Sequence, residues 1–192
     1  MKRIAIFASG NGSNAENIIR YFQEKGSSGE VALVVCNKSG AKVLERAGRL
    51  GVESVVMSRA EINDRQSMLG LLESHRIDVI VLAGFLLMVP SFLIERYRDR
   101  IVNIHPSLLP KFGGKGMYGR HVHEAVVNSG EVETGITIHY VSDMCDEGRM
   151  IFQARTSVEQ SDTAEDVEKK VHELEREHFA RVIDETFFGD NV

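Results

Sequence analysis

Cysteine, proline and long apolar runs are all scarce in this chain, and tryptophan is absent: 192 residues hold two cysteines and three prolines. Cys36 and Cys145 stand far apart with no C-x-x-C pair, which argues against a disulfide framework and against a zinc ribbon. They read as two free thiols in a reducing compartment. No stretch approaches the roughly 18 apolar residues that a membrane span requires. The apolar run in "MKRIAIFASG" is too short for a secretory signal. A cytoplasmic protein with no membrane partner is expected. An excess of positive charge is also missing. The formal net charge is -5, so nonspecific attraction to nucleic acid does not drive the main function, although a local basic pocket for a small anion is compatible with it.

What is present is a soluble globular composition, 43% hydrophobic and 27% charged. A chain of this length buries roughly 70% of its unfolded surface without a staple. Short apolar runs ("RIAIFAS", "VALVVCN", "ESVVM", "DVIVLAG", "RIVNIH") alternate with segments of helical spacing ("NAENIIRYFQEKG", "AKVLERAGRLG", "DRQSMLGLLESHR", "PSFLIERYRDR"). That rhythm predicts an α/β fold, a Rossmann-like and mostly parallel sheet with flanking helices. It breaks after residue 110. A glycine-rich basic loop, "KFGGKGMYG", leads to a short helix, "HVHEAVVNSG", and then two strands, "TGITIHYVS" and "MIFQARTSV", the second antiparallel to the first. A long amphipathic helix opens at a Thr163-x-x-Asp166 capping signal.

Two places suggest chemistry. "SGNGSNAENII" follows the first strand and opens the first helix, where unpaired N–H groups attract anions. Gly10 and Gly12 let the backbone come close to a phosphate, and Ser13 and Asn14 add donors. The same residues can cap the helix, Ser13 pairing with Glu16 in a capping box. A dinucleotide site fits less well, because Asn37 and Lys38 stand where the acidic ribose ligand is expected. One phosphomonoester suits the loop better than a cofactor tail.

The second place is "NIHPSLLP". In an extended segment Asn103 and His105 share a face, and Pro106 holds His105 extended. An amide and an imidazole on one face can flank a single carbonyl group, the amide stabilising an oxyanion while the imidazole moves a proton. A carboxylate beside His105 would fix its tautomer. "YVSDMCDEG" offers Asp143, Asp146 and Glu147, and spacing does not choose among them. "HVH" at His121 and His123 lacks a third ligand, so no metal is expected.

In this order, "SGNGSN", "LAGF", "NIHPSLLP" and "DMCDEG" resemble the folate-dependent phosphoribosylglycinamide formyltransferases of purine synthesis, over nearly the whole chain. The resemblance implies a single formyltransferase domain over 1–192, with a phosphate-binding half at 1–102 and a catalytic and folate-binding half at 103–192. It implies transfer of a formyl group from 10-formyltetrahydrofolate, as co-substrate, to the amine of glycinamide ribonucleotide. Carried over residue by residue, it makes Asn103, His105 and Asp146 catalytic. It places phosphate on Gly12, Ser13 and Asn14, and the ribonucleotide on Glu175, which the helical wheel puts on the inward face with Val167, Val171, Leu174, Phe179 and Val182. The folate pocket falls on Arg65, Leu86, Leu87, Met88, Val89, Val141, Ser142 and Asp143. Two departures stand out. Leu87 occupies the place of a common arginine, and the loop after "SLLP" is longer by about five residues, bringing Lys111, Lys115 and Arg120. Related families are the formyltetrahydrofolate deformylases, which carry an extra N-terminal domain, and the methionyl-tRNA formyltransferases, which carry an RNA-binding one; this chain starts at its first strand and stops at 192. A binding protein that has lost turnover is a further alternative. A monomer or weak homodimer acting on small molecules, without nucleic acid, is expected.

Overall fold

A computed structural model describes residues 1–26 and 28–189. In chain order the elements are β1 (Lys2–Ala8), α1 (Ser13–Glu24), β2 (Gly29–Cys36), α2 (Lys42–Arg49), β3 (Glu53–Val56), α3 (Arg59–Asn63), α4 (Arg65–Ser74), β4 (Val79–Leu82), α5 (Ser91–Arg96), β5 (Ile101–His105), α6 (Arg120–Asn128), β6 (Glu133–Tyr140), β7 (Met150–Ser157) and α7 (Ala164–Phe187). The strands follow the order β3-β2-β1-β4-β5-β6-β7 in one seven-stranded sheet. The expected α/β class and long final helix are both present. The chain divides into two compact units, Met1–Val102 with the chain from Ala180 onward, and Asn103–Phe179.

In the first unit β1 pairs parallel with β2 and β4, and β2 with β3. The unbroken apolar run of β1 matches its place: Ile4, Ala5, Ile6 and Phe7 are wholly buried, as strands covered on both faces must be. Burying each large side chain there is worth about 1.5–3 kcal/mol. Helix α1 turns Ala15, Ile18, Ile19 and Phe22 inward, the i, i+3, i+4, i+7 stripe of an amphipathic helix. Helix α3 has no counterpart among the segments of helical spacing. It is a five-residue turn with one buried apolar residue, Ile62, so it has no periodicity to show. Its start is nevertheless written as Ser58-x-x-Glu61, which forms a complete capping box.

In the second unit β6 and β7 run antiparallel, with Ile136 opposite Ala154 and Ile138 opposite Phe152. Gly135 is required there, since a Cβ would collide with the Ala154 carbonyl oxygen. The capping signal before α7 is built as read: the Asp166 amide donates to Thr163 Oγ1 at 3.2 Å, and the Thr163 amide donates to Asp166 Oδ2 at 3.0 Å. Among the described residues no helix is long and apolar enough to cross a membrane.

Candidate active site

The polar exit from β5 is held by the neighbouring hairpin. The Thr137 hydroxyl on β6 donates to the Ser107 carbonyl at 2.7 Å and accepts from the Leu109 amide at 3.0 Å. Gln153 on β7 donates to the Leu109 carbonyl at 3.1 Å and to Thr137 Oγ1 at 2.9 Å. The Ser107 hydroxyl closes the turn on the Lys111 carbonyl at 2.6 Å. Every hydrogen-bonding position of the buried Thr137 hydroxyl is therefore used. The turn that follows His105 is thereby pinned, and with it the direction of the imidazole.

Around that turn the structure brings Asn103, His105 and Asp146 together. His105 is 3% exposed, and its Nδ1 lies 3.4 Å from Asp146 Oδ2. Its Nε2 lies 2.7 Å from the Phe112 carbonyl oxygen. A carbonyl only accepts, so Nε2 carries the proton, and Nδ1 is the nitrogen that faces the carboxylate. Asp146 Oδ2 also accepts the Gly114 amide at 3.0 Å, so one carboxylate ties the glycine-rich loop to the imidazole. Both residues that flank the imidazole carry a backbone cost: Phe112 at φ 56 and Asp146 at φ 57 are non-glycine residues in the left-handed region. Of the three acids left open by spacing, Asp143 and Glu147 are exposed to solvent, and only Asp146 reaches His105.

His139 carries no motif that marks it in the sequence, yet it completes the cluster. It sits on β6, 3% exposed, with Nε2 at 3.2 Å from Asn103 Nδ2 and 3.7 Å from Asp146 Oδ1. Its Nδ1 donates to the Tyr140 carbonyl at 2.9 Å. Burial, partly opposed by that carbonyl and by Asp146, lowers its pKa and favours the neutral ring. Neutral and protonated at Nδ1, His139 presents a lone pair at Nε2, which accepts one N–H of the Asn103 amide. The amide is thus oriented with its NH₂ group toward His139. The alternation in "GITIHY" was the one available signal, because it points His139 to the same side as Thr137 and Gly135. That pattern alone reads equally as core.

The remaining expected site residues lie apart, each on its own unit. At the first loop the helix-capping alternative fails. Gly12, at φ 76, is the N-cap of α1, no side chain among the described residues caps it, and Ser13 is the first helical residue. Gly12 is needed there, because a Cβ would lie 2.6 Å from Val43 Cβ. Glu16 is instead paired with Arg46, Arg20 and Arg49, and Arg46 in particular holds its pKa down at about 2. Leu86 and Met88 form exposed apolar surface after β4, at 53% and 62%, with Leu87 and Val89 partly covered. Arg65 opens α4 and rests over the Phe92 ring at 5.8 Å, which aims the guanidinium. In the second unit Val141 and Ser142 are partly covered and Asp143 exposed. Glu175 is buried on the same stripe of α7 as Val171 and Phe179. Of the basic loop residues, Lys111 pairs with Glu131 and Arg120 with Glu124, while Lys115 is exposed. His121 is exposed and His123 is buried, so the "HVH" pair points in two directions.

A buried imidazole between a carboxylate and a carboxamide, at the end of a strand in an open α/β sheet, equips a protein for transfer of an acyl-type group: one donor for an oxyanion, one group to move a proton. The chain belongs to the formyl transferase family, whose model matches residues 2–183. It is similar to phosphoribosylglycinamide formyltransferase of Bacillus subtilis, 36% identical over 187 residues, covering 95% of this chain and 93% of that one. Among solved structures it is similar to phosphoribosylglycinamide formyltransferase from Streptococcus pneumoniae, with a TM-score of 0.85 at 38% identity, covering 97% of this chain and 99% of that one. It is also similar to glycinamide ribonucleotide transformylase 1 from Symbiobacterium toebii, with a TM-score of 0.87 at 32% identity, covering 96% and 86%.

Proposed function

We propose that this chain transfers the formyl group of 10-formyltetrahydrofolate to the amine of glycinamide ribonucleotide, a step of purine synthesis. The observation that carries the reading is the Asn103, His105, Asp146 cluster, with His105 Nδ1 at 3.4 Å from the carboxylate, in a chain of this family. Transfer is direct. The amine nitrogen attacks the formyl carbon, a tetrahedral oxyanion forms, the bond from carbon to the folate nitrogen breaks, and the proton lost by the amine ends on that nitrogen. The second N–H of Asn103 meets the oxyanion; one such donor is worth about 2.7–4 kcal/mol. His105 relays the proton, a contribution of about 10²–10⁴ in rate, and Asp146 stabilises the imidazolium formed in passing. The Phe112 carbonyl, now on His105 Nε2, stands where a substrate group takes its place.

Gly12, Ser13 and Asn14 hold the phosphate and Glu175 the ribonucleotide. Leu86 to Val89 and Val141 to Asp143 line the folate ring, with Arg65 toward its carboxylates. Leu87 supplies apolar contact in place of an ionic one. The reaction calls on no metal. The free thiols support a reducing compartment such as the cytoplasm, and a monomer or weak homodimer is sufficient, since Asn103, His105 and Asp146 all come from one chain.

The test is to mix the pure protein with 10-formyltetrahydrofolate, with and without glycinamide ribonucleotide, and follow loss of the formyl group optically. Loss only with the ribonucleotide is expected. Loss without it makes the protein a hydrolase, and no loss in either case makes it a binding protein.

A further inference from the structure

The loop between β1 and α1 is braced from α2. Arg46, on α2, spreads its guanidinium over both ends of the loop. Its Nε donates to the Asn11 carbonyl at 2.8 Å, and one Nη donates to Asn11 Oδ1 at 3.1 Å. The other Nη pairs with the Glu16 carboxylate. Asn11 and Glu16 flank Gly12, Ser13 and Asn14, so one planar group fixes the residues on either side of the anion-binding stretch. The neighbouring turn of α2 adds two contacts: the Val43 amide donates to the Gly10 carbonyl at 3.2 Å, and the Val43 side chain packs on Gly12, where there is no room for a Cβ.

We infer that Arg46 is a positioning residue for the phosphate-bearing substrate, acting through Asn11 on the geometry of the Gly12–Asn14 backbone. The inference rests on the proposed phosphate role of that loop. Two physical points single out Arg46 and the geometric route. First, Glu16 lies in the first turn of α1, where an unneutralised carboxylate would repel a phosphate dianion; but Arg20 and Arg49 also pair with it, so its charge stays offset when Arg46 is removed. Second, Arg46 holds both the backbone and the side-chain oxygen of Asn11, and left-handed Gly12 offers the loop little stiffness of its own. A lysine has no fixed fork and cannot serve both Asn11 acceptors and Glu16 together.

The experiment compares glycinamide ribonucleotide with its dephosphorylated riboside as ligands for wild type, Arg46→Met and Arg46→Lys. Affinity is measured by calorimetry and turnover by formyl transfer. Arg46→Met is expected to weaken the ribonucleotide at least tenfold in Kd and KM, leave the riboside within twofold, and leave kcat at saturation and folate affinity within twofold. Arg46→Lys should fall closer to the methionine variant than to wild type. Asn11→Ala, which removes one acceptor from an exposed side chain, should shift the ribonucleotide the same way by a smaller factor, and it serves if Arg46→Met does not fold. Unchanged ribonucleotide affinity in both Arg46→Met and Asn11→Ala overturns the inference, as does equal weakening of both ligands. Ser13→Asp separates this from the underlying reading, because a carboxylate at the first helical position must expel a phosphate bound there. If Ser13→Asp abolishes the preference for the phosphorylated ligand and Arg46→Met keeps it, only the role of Arg46 fails. If wild type shows no such preference, the loop is not the phosphate site.

Discussion

His139 Nε2 accepts an N–H of the Asn103 amide at 3.2 Å, and it can do so because His139 carries its proton on Nδ1, which donates to the Tyr140 carbonyl at 2.9 Å. The orientation of the Asn103 amide is thus set by the tautomer of a second, buried imidazole. Replacing His139 by leucine removes the acceptor and lets the amide turn. A loss of about 10²-fold in kcat is expected, the scale of a lost oxyanion donor, with ribonucleotide KM within about threefold. Glutamine, whose amide oxygen can reach the position of Nε2, should recover most of it. Steady-state kinetics of the two variants decide this; equal losses would assign His139 a packing role only.

Asp146 should be sensitive to charge as well as to shape. Asp146→Asn keeps an acceptor for the Gly114 amide but cannot offset an imidazolium, so kcat should drop by about 10²-fold or more while the loop stays in place. Gly113→Ala attacks the same relation from the loop side. Its Cβ would fall 2.5 Å from Leu109 Cδ2 and 3.5 Å from Asp146 Cβ. Turnover should fall there too, with the thermal midpoint lowered, whereas Asp146→Asn should leave it close to wild type.

Thr137→Val is nearly isosteric but abolishes an acceptor for the Leu109 amide and for Gln153, and a donor for the Ser107 carbonyl. At a position 1% exposed, each group left unpaired costs about 1–3 kcal/mol. A destabilisation of several kcal/mol in urea unfolding is expected, well beyond that of Thr163→Ala, which loses a helix cap for about 1 kcal/mol and should leave kcat alone.

Stability should decline on the acid side of neutrality. Burial lowers the pKa of both His123 and His139 below the ordinary histidine value of 6.5. Below that value the unfolded chain binds protons that the folded one refuses, so the stability they confer is complete above about pH 6.5 and is lost as pH falls toward the folded pKa. Each such proton steepens the slope by at most about 1.4 kcal/mol per pH unit. Among the described residues His123 Nδ1 has no hydrogen-bond partner, so His123→Leu should flatten the fall in unfolding free energy between pH 6.5 and 5.5. An unchanged slope would count against its burial in the neutral form.

How much of this could be read beforehand depended on the range of the interaction. The β1–α1–β2–α2 rhythm was legible because hydrophobic period is a local property, and it marks which face is buried whatever the partner. The Thr163-x-x-Asp166 cap was legible for the same reason, its two hydrogen bonds spanning three residues. Asn103 and His105 declared themselves as an amide and an imidazole on one face of a strand, since pleating alone puts them there. Ser58-x-x-Glu61 shows the limit of such signals, a correct cap in front of a helix too short to have a period.

The α/β order of the elements and the chemical kind of the groups at the ends of their strands are therefore local properties, legible along the chain. Which groups meet depends on how distant segments pack. Asp143, Asp146 and Glu147 are equivalent in composition and nearly so in position; a left-handed backbone at Asp146 turns that one carboxylate to His105. His139 is 36 residues from Asn103, and Arg46 is 35 from Asn11. Their contacts arise because strands and helices distant in the chain are stacked side by side, and hydrogen-bond geometry, unlike hydrophobic period, leaves no trace in the spacing of a single segment.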